Sequence, residues 1–87
     1  MKELPLVLIV DDQPDNLYMY THFFDARKKV RLVTAMNGPE ALVKARRLKP
    51  DAILLDVAMP HMDGFDVAKA LAEDATTRDI PVVRGRV

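Results

Sequence analysis

Asp11 and Asp12 directly follow the apolar run Leu6 to Val10, and Asp56 directly follows a second run, Ala52 to Leu55. If both runs are parallel neighbours in one sheet, the three carboxylates converge at the same sheet edge. Crowded carboxylates repel one another, so their clustering calls for a cation. Hard oxygen donors without His or Cys select Mg²⁺ over zinc or copper, and one or two carboxylates plus waters suffice to hold it. Such an edge can also accept a phosphoryl group, whose transfer depends mainly on positioning and on neutralising its equatorial oxygens. Any one aspartate alone would as readily cap a helix or solvate a loop. Three at two matched strand ends point instead to a shared site.

The elements that must position them follow from the pattern of the chain. Leu6 to Val10 is continuously apolar, as expected of a strand covered on both faces in a parallel sheet. Pro14 offers a preset first helical residue, and Leu17, Tyr20 and Phe24, with Met19 and Phe23, form a broad apolar stripe, predicting a helix from Pro14 to Lys28. Val30 to Ala35 fits a second strand, ended by Asn37-Gly38-Pro39. A short amphipathic helix is expected over Pro39 to Lys49, with Ala41, Leu42, Ala45 and Leu48 on one face, and Pro50-Asp51 breaks it. Ala52 to Leu55 is the third strand. Pro60 to Gly64 reads as a loop whose glycine can take a backbone shape that other residues resist. A third helix is expected from Phe65 to Ala75, and Ile80 to Val83 as a fourth strand with its proline near the start, where a missing ladder donor is tolerated. Strands alternating with helices, joined by right-handed crossovers, make a parallel sheet with helices on both faces. Aspartates at its carboxyl edge then lie where open α/β sheets bind ligands.

Composition narrows the function classes. At 87 residues the chain is one domain with a small core. Lys plus Arg equals Asp plus Glu at 13 each, so no global field favours nucleic acid or an anionic membrane. The absence of cysteine removes disulfides and thiolate chemistry and fits a reducing compartment, so the cytoplasm is expected. The first apolar run is five residues long and ends in two aspartates, too short for a signal peptide or a membrane span.

Three stretches carry a family resemblance: Ile9-Val10-Asp11-Asp12-Gln13-Pro14-Asp15-Asn16, Leu54 to Phe65 around Asp56, and Asp79-Ile80-Pro81-Val82-Val83. With Asn37-Gly38 and Pro50-Asp51 they make nearly the whole chain similar to the receiver domain of bacterial two-component response regulators. The resemblance implies a flavodoxin-like, doubly wound parallel sheet of order 2-1-3-4. It implies that Asp56 is the phosphoacceptor, supplied by a histidine kinase, a phosphotransfer protein or a small phosphodonor. It also implies that Asp12 and Asp56 bind Mg²⁺ with the backbone carbonyl of Ala58, Asp11 helping through water. Asp63-Gly64 and Met59-Pro60 would shape the loop. His61 is read as an exposed loop residue and His22 as helix surface, neither with a chemical role.

Against that family, residues 1–87 are expected to supply four strands and three helices, a truncated receiver without the fifth strand and the last two helices. The hydroxyl expected soon after the fourth strand is not evident, since Arg84 occupies that region and Thr76 and Thr77 precede the strand. The family also expects a lysine at the end of the fifth strand, and the guanidinium of Arg84 does not reproduce its geometry. An open apolar edge at Val82 and Val83 and an uncovered sheet face lead to the expectation of a homo-oligomer. The chain is thus expected to be a phosphoacceptor signalling domain rather than a turnover enzyme. The alternative is an assembly module without a working phospho-switch. A phosphohydrolase is disfavoured because no separate acid/base residue or substrate pocket is evident.

Overall fold

The computed structural model describes residues 4–27, 29–56 and 64–85. Among the described residues seven elements alternate: β1 (Leu6–Val10), α1 (Pro14–Arg27), β2 (Arg31–Ala35), α2 (Gly38–Leu48), β3 (Ala52–Asp56), α3 (Gly64–Glu73) and β4 (Val82–Gly85). The strands form one parallel sheet in the order β2-β1-β3-β4, the expected 2-1-3-4.

Register assigns the faces. Leu8 pairs with Val33 and Ile53, and Val10 with Ala35 and Leu55. Partners in register share a face, and alternate residues along a strand face opposite ways. Leu8, Val10, Ile53 and Leu55 are fully buried against Ala41 and Ala45 of α2 and Val67 and Leu71 of α3. Ile9, of opposite parity, is also buried, and it faces the side of α1, whose Leu17 is buried. This two-sided burial explains why β1 is continuously apolar instead of alternating.

The connections are held by short local bonds. Asn37 caps α2, its Oδ1 accepting from Glu40 N at 2.7 Å, while Glu40 Oε1 accepts from Met36 N at 2.7 Å. The first bond satisfies a donor that the helix leaves open at its first turn, and the second ties the residue before the cap back onto the helix. Lys49 closes α2 in the left-handed region at φ 48°, its N–H donating to Ala45 O at 3.0 Å, and Pro50 prevents continuation. Asp51 then joins the sheet, since its N donates to Leu6 O and its Oδ2 accepts from Leu6 N, both at 2.7 Å.

Three expectations shift. Gly64 has no positive φ, and it opens α3 in a buried position where a side chain would have to be accommodated. α3 ends at Glu73 instead of Ala75, because Asp74 turns the chain by accepting from Thr76 N at 2.8 Å. β4 begins two residues later than expected. Ile80 is drawn into the preceding turn, its N donating to Thr77 O at 3.0 Å, and Pro81 meets the sheet only through its carbonyl, which accepts from Ile53 N at 2.9 Å. Arg84 therefore lies inside β4, paired with Leu55, and not beyond it.

Candidate functional site

The carboxyl edge of the sheet is set by the β1–β3 pairing. Because Val10 is opposite Leu55, the next residues, Asp11 and Asp56, are delivered to the same edge of adjacent parallel strands. Adjacent strands lie about 4.8 Å apart. Asp56 is the last residue of β3 and pairs on its other side with Gly85, so a residue without a side chain borders it there.

Asp11 is fully buried. Its N donates to Ala35 O at 3.0 Å, extending the β1–β2 ladder by one bond. Its Oδ1 accepts from Gln13 N at 2.9 Å and its Oδ2 from Asn16 Nδ2 at 3.0 Å. The carboxylate thus folds the chain from β1 into α1, and its charge stays near the edge with both oxygens oriented by local donors. Asp12, half-buried, comes next, and its Oδ1 is shielded from solvent. Of the pair, Asp11 has both oxygens engaged by local donors, and Asp12 keeps one oxygen shielded from solvent. Asn16 is the residue that sequence reasoning left without a role. Its place five residues after Asp11, in the first turn after Pro14, is the signal that could have found it.

For Asp56 the description extends to the backbone, and Ala58 and His61 lie outside the described residues. Among the described residues no group of three or more His, Cys, Asp or Glu side chains is arranged to hold a metal. The donor set at the edge nevertheless suits Mg²⁺: it consists of hard carboxylate oxygens, with one Asp12 oxygen withdrawn from water and the neighbouring Asp11 buried.

The remaining polar residues singled out in the sequence are occupied elsewhere. His22 is exposed on α1, its Nε2 2.6 Å from Tyr18 Oη. Thr77 is buried and donates through Oγ1 to Leu71 O at 2.7 Å. Thr76 Oγ1 donates to Asp74 Oδ1 at 2.6 Å. Arg84 is exposed, its guanidinium 5.7 Å from the centroid of the Phe65 ring. It belongs to the α3 side of β4, so it does not occupy the position expected of a phosphoryl-binding hydroxyl.

A parallel sheet of this order with paired aspartates at its carboxyl edge defines a receiver-like α/β domain. Residues 7–84 match the response regulator receiver domain family, and the chain belongs to that family. It is 49% identical over 77 residues to response regulator PleD of Caulobacter vibrioides, covering 88% of this chain and 17% of PleD. The N-terminal domain of a response regulator receiver protein from Methanoculleus marisnigri superposes with a TM-score of 0.86 at 35% identity, over 94% of this chain and 66% of that one. The receiver domain of a Pseudomonas aeruginosa sensor histidine kinase shares the fold, with a TM-score of 0.84 at 24% identity over 94% of this chain and 66% of that one. That protein was crystallised with a magnesium ion coordinated in its active site cleft. The chain therefore spans about a sixth of PleD and two thirds of either solved neighbour. No described helix is long and apolar enough to cross a membrane.

Proposed function

We propose that this chain is the phosphoacceptor unit of a two-component phosphorelay in the cytoplasm, with Asp56 as the acceptor. The observation that carries this reading is the parallel pairing of Val10 with Leu55, which brings Asp11 and Asp56 to one edge. An oxygen of the Asp56 carboxylate attacks phosphorus of a phosphohistidine on a histidine kinase or phosphotransfer protein. The phosphorus–nitrogen bond breaks, and the imidazole leaves with the electron pair. Asp12, Asp56 and the carbonyl of Ala58 would hold Mg²⁺, which when bound neutralises charge on the transferred oxygens. Asp11 keeps the β1–α1 turn in place and adds negative charge that favours the cation. The magnesium site of the Pseudomonas receiver domain supports the choice of ion. The chain is not a turnover enzyme in this reading, because the phosphoryl group ends on its own side chain.

Incubation with acetyl phosphate and Mg²⁺ should add one phosphoryl mass, and Asp56→Asn should abolish it. An unmodified mass at saturating phosphodonor overturns the proposal. A second reading, an assembly module without a working switch, is favoured by one observation: β4 ends in Arg84, directed to Phe65, and Gly85, so neither offers a hydroxyl beside Asp56. Phosphorylation that changed assembly or partner affinity would count against it. The same proposal includes self-association through β4, whose Val83 is exposed at the sheet edge.

A further inference from the structure

We propose that the Glu40–Lys44 ion pair of α2 stands in for one residue of a neighbouring strand at the outer edge of β2, and so closes that edge to a second copy of this chain. β2 is an end strand of the order β2-β1-β3-β4. Doubly wound sheets of the order 2-1-3-4-5 add their further strand beyond β4, so β2 is an edge in the longer sheet as well. An edge strand presents N–H and C=O groups that invite pairing with another chain.

The direction of each backbone group follows from the ladder. Arg31 N donates to Pro5 O at 2.7 Å and Asp11 N to Ala35 O at 3.0 Å, so Arg31 and Ala35 turn their backbone groups toward β1. Val33 shares their parity, and Leu32 and Thr34 therefore point the opposite way, out from the edge. The N–H and C=O of one trans peptide point in opposite directions, so Met36 N–H, joined to the Ala35 carbonyl, also faces outward. In a parallel ladder, one residue of a further strand, opposite Ala35, would donate its N–H to Thr34 O and accept from Met36 N through its C=O.

Those two groups are taken by α2 instead. Lys44 Nζ donates to Thr34 O at 2.5 Å, and Glu40 Oε1 accepts from Met36 N at 2.7 Å. The two side chains also meet each other, Lys44 Nζ lying 3.0 Å from Glu40 Oε2. One donor and one acceptor, joined by an ion pair, thus reproduce the donor and acceptor of a single strand residue. The start of α2 fixes them: Glu40 N donates to the Asn37 cap at 2.7 Å, and Lys44 follows one turn later on the same face. The Met36 amide, then Lys44, hold the Glu40 carboxyl below its ordinary 4.5, so the acceptor is charged at neutral pH. Both side chains are about one third exposed, and such a pair adds little stability by its charges alone. A surface pair needs no contact with the sheet, yet each member of this one takes an outward group of the β2 edge. Without the pair, Thr34 O and Met36 N would join the outward N–H groups of Leu32 and Thr34 in a continuous row on which β2 of a second copy can pair.

The test uses the 87-residue chain carrying Val83→Lys, so that association through β4 does not contribute. Glu40→Ala with Lys44→Ala removes donor and acceptor together at unchanged net charge. Glu40→Lys with Lys44→Glu keeps both charges and the helical spacing, but a carboxylate cannot donate to Thr34 O and an ammonium cannot accept from Met36 N. Light scattering across a concentration series should show both double variants associating at a concentration at least about tenfold below any association of the parent, with cooperative thermal unfolding retained when dilute. Amide hydrogen exchange should find Met36 N–H protected in the parent and at least about tenfold faster in the dilute double variants, and Leu32 and Thr34 N–H slowed on association. Lys44→Met keeps the apolar stem and leaves the Glu40 bond to Met36 in place, so it should associate with Met36 still protected even if a double variant unfolds.

Variants no more associated than the parent, a charge-exchanged chain that folds and stays monomeric, Met36 N–H exchanging equally fast in every chain, or association that leaves Leu32 and Thr34 unprotected would each overturn the proposal. None of these outcomes depends on Asp56 or on Val83, so the phosphoacceptor reading and the β4 contact stand or fall separately.

Discussion

Asn16 Nδ2 donates to Asp11 Oδ2 at 3.0 Å, linking the first turn of α1 to the fully buried carboxylate at the end of β1. The bond matters because a buried charged acceptor that loses a donor keeps its desolvation cost. Asn16→Ala should therefore lower stability by about 1–3 kcal/mol in urea denaturation. Asn16→Asp, which places a second negative charge against the first, should cost more. Wild-type midpoints for both variants would show that the turn does not depend on this bond.

Asp12 and Asp11 should separate by readout. Asp12→Asn removes a direct ligand candidate whose Oδ1 is shielded from solvent. It should weaken Mg²⁺ binding at least about tenfold in calorimetric titration, with little loss of stability. Asp11→Asn keeps the shape but removes charge from a carboxylate that accepts from Gln13 N and Asn16 Nδ2. It should lower the urea midpoint as well as the affinity. Identical effects of the two substitutions would contradict the division into ligand and orienting group.

The pH dependence of stability should carry the mark of Asp74. Thr76 Oγ1, then Arg46 and Thr76 N, hold its carboxyl down at about 2, from an ordinary 3.8. A carboxylate whose folded value is depressed contributes stability that is fully present above its unfolded value and lost as pH falls through the folded one. The difference in urea midpoint between wild type and Asp74→Asn should thus be constant above pH about 4 and disappear toward pH about 2. Glu40 is lowered too, first by the hydrogen bond from Met36 N and then by Lys44, and adds to the loss in the same direction. A difference independent of pH from 2 to 5 would show that the Thr76 and Arg46 contacts do not favour the charged form of Asp74.

The converging edge was legible because long-range information is repeated in local form, while the strand order 2-1-3-4 came only with the family resemblance. β1 and β3 are continuous apolar runs, which only two-sided burial explains, and each stops at aspartate. What was not legible depended on hydrogen bonds made across short loops. Ile80 has the composition of a strand residue, yet its N–H serves the turn to Thr77, so β4 starts late and Arg84 becomes a strand residue over Phe65. The local bonds of Asp11 to Gln13 and Asn16, which add to its expected role in positioning the metal, carry no signature in apolar periodicity. The Ala58 carbonyl falls outside the described residues, so that expectation stands as part of the proposal alone.

Self-association should depend on the β4 edge. Among the described residues β4 stands at the end of the order β2-β1-β3-β4, and Val83, 56% exposed, lies between half-buried Val82 and exposed Arg84. A parallel strand paired on one side leaves alternate N–H and C=O groups open on the other, and an exposed β-branched side chain there adds apolar area to any chain that pairs with it. Val83→Lys keeps the backbone able to pair but adds a charge that opposes a second copy. Light scattering across a concentration series should show the wild-type chain associating and the Val83→Lys chain remaining monomeric, with unchanged thermal unfolding at low concentration. A wild-type chain that stays monomeric at the highest concentration, or a variant that associates equally well, would remove β4 as the contact.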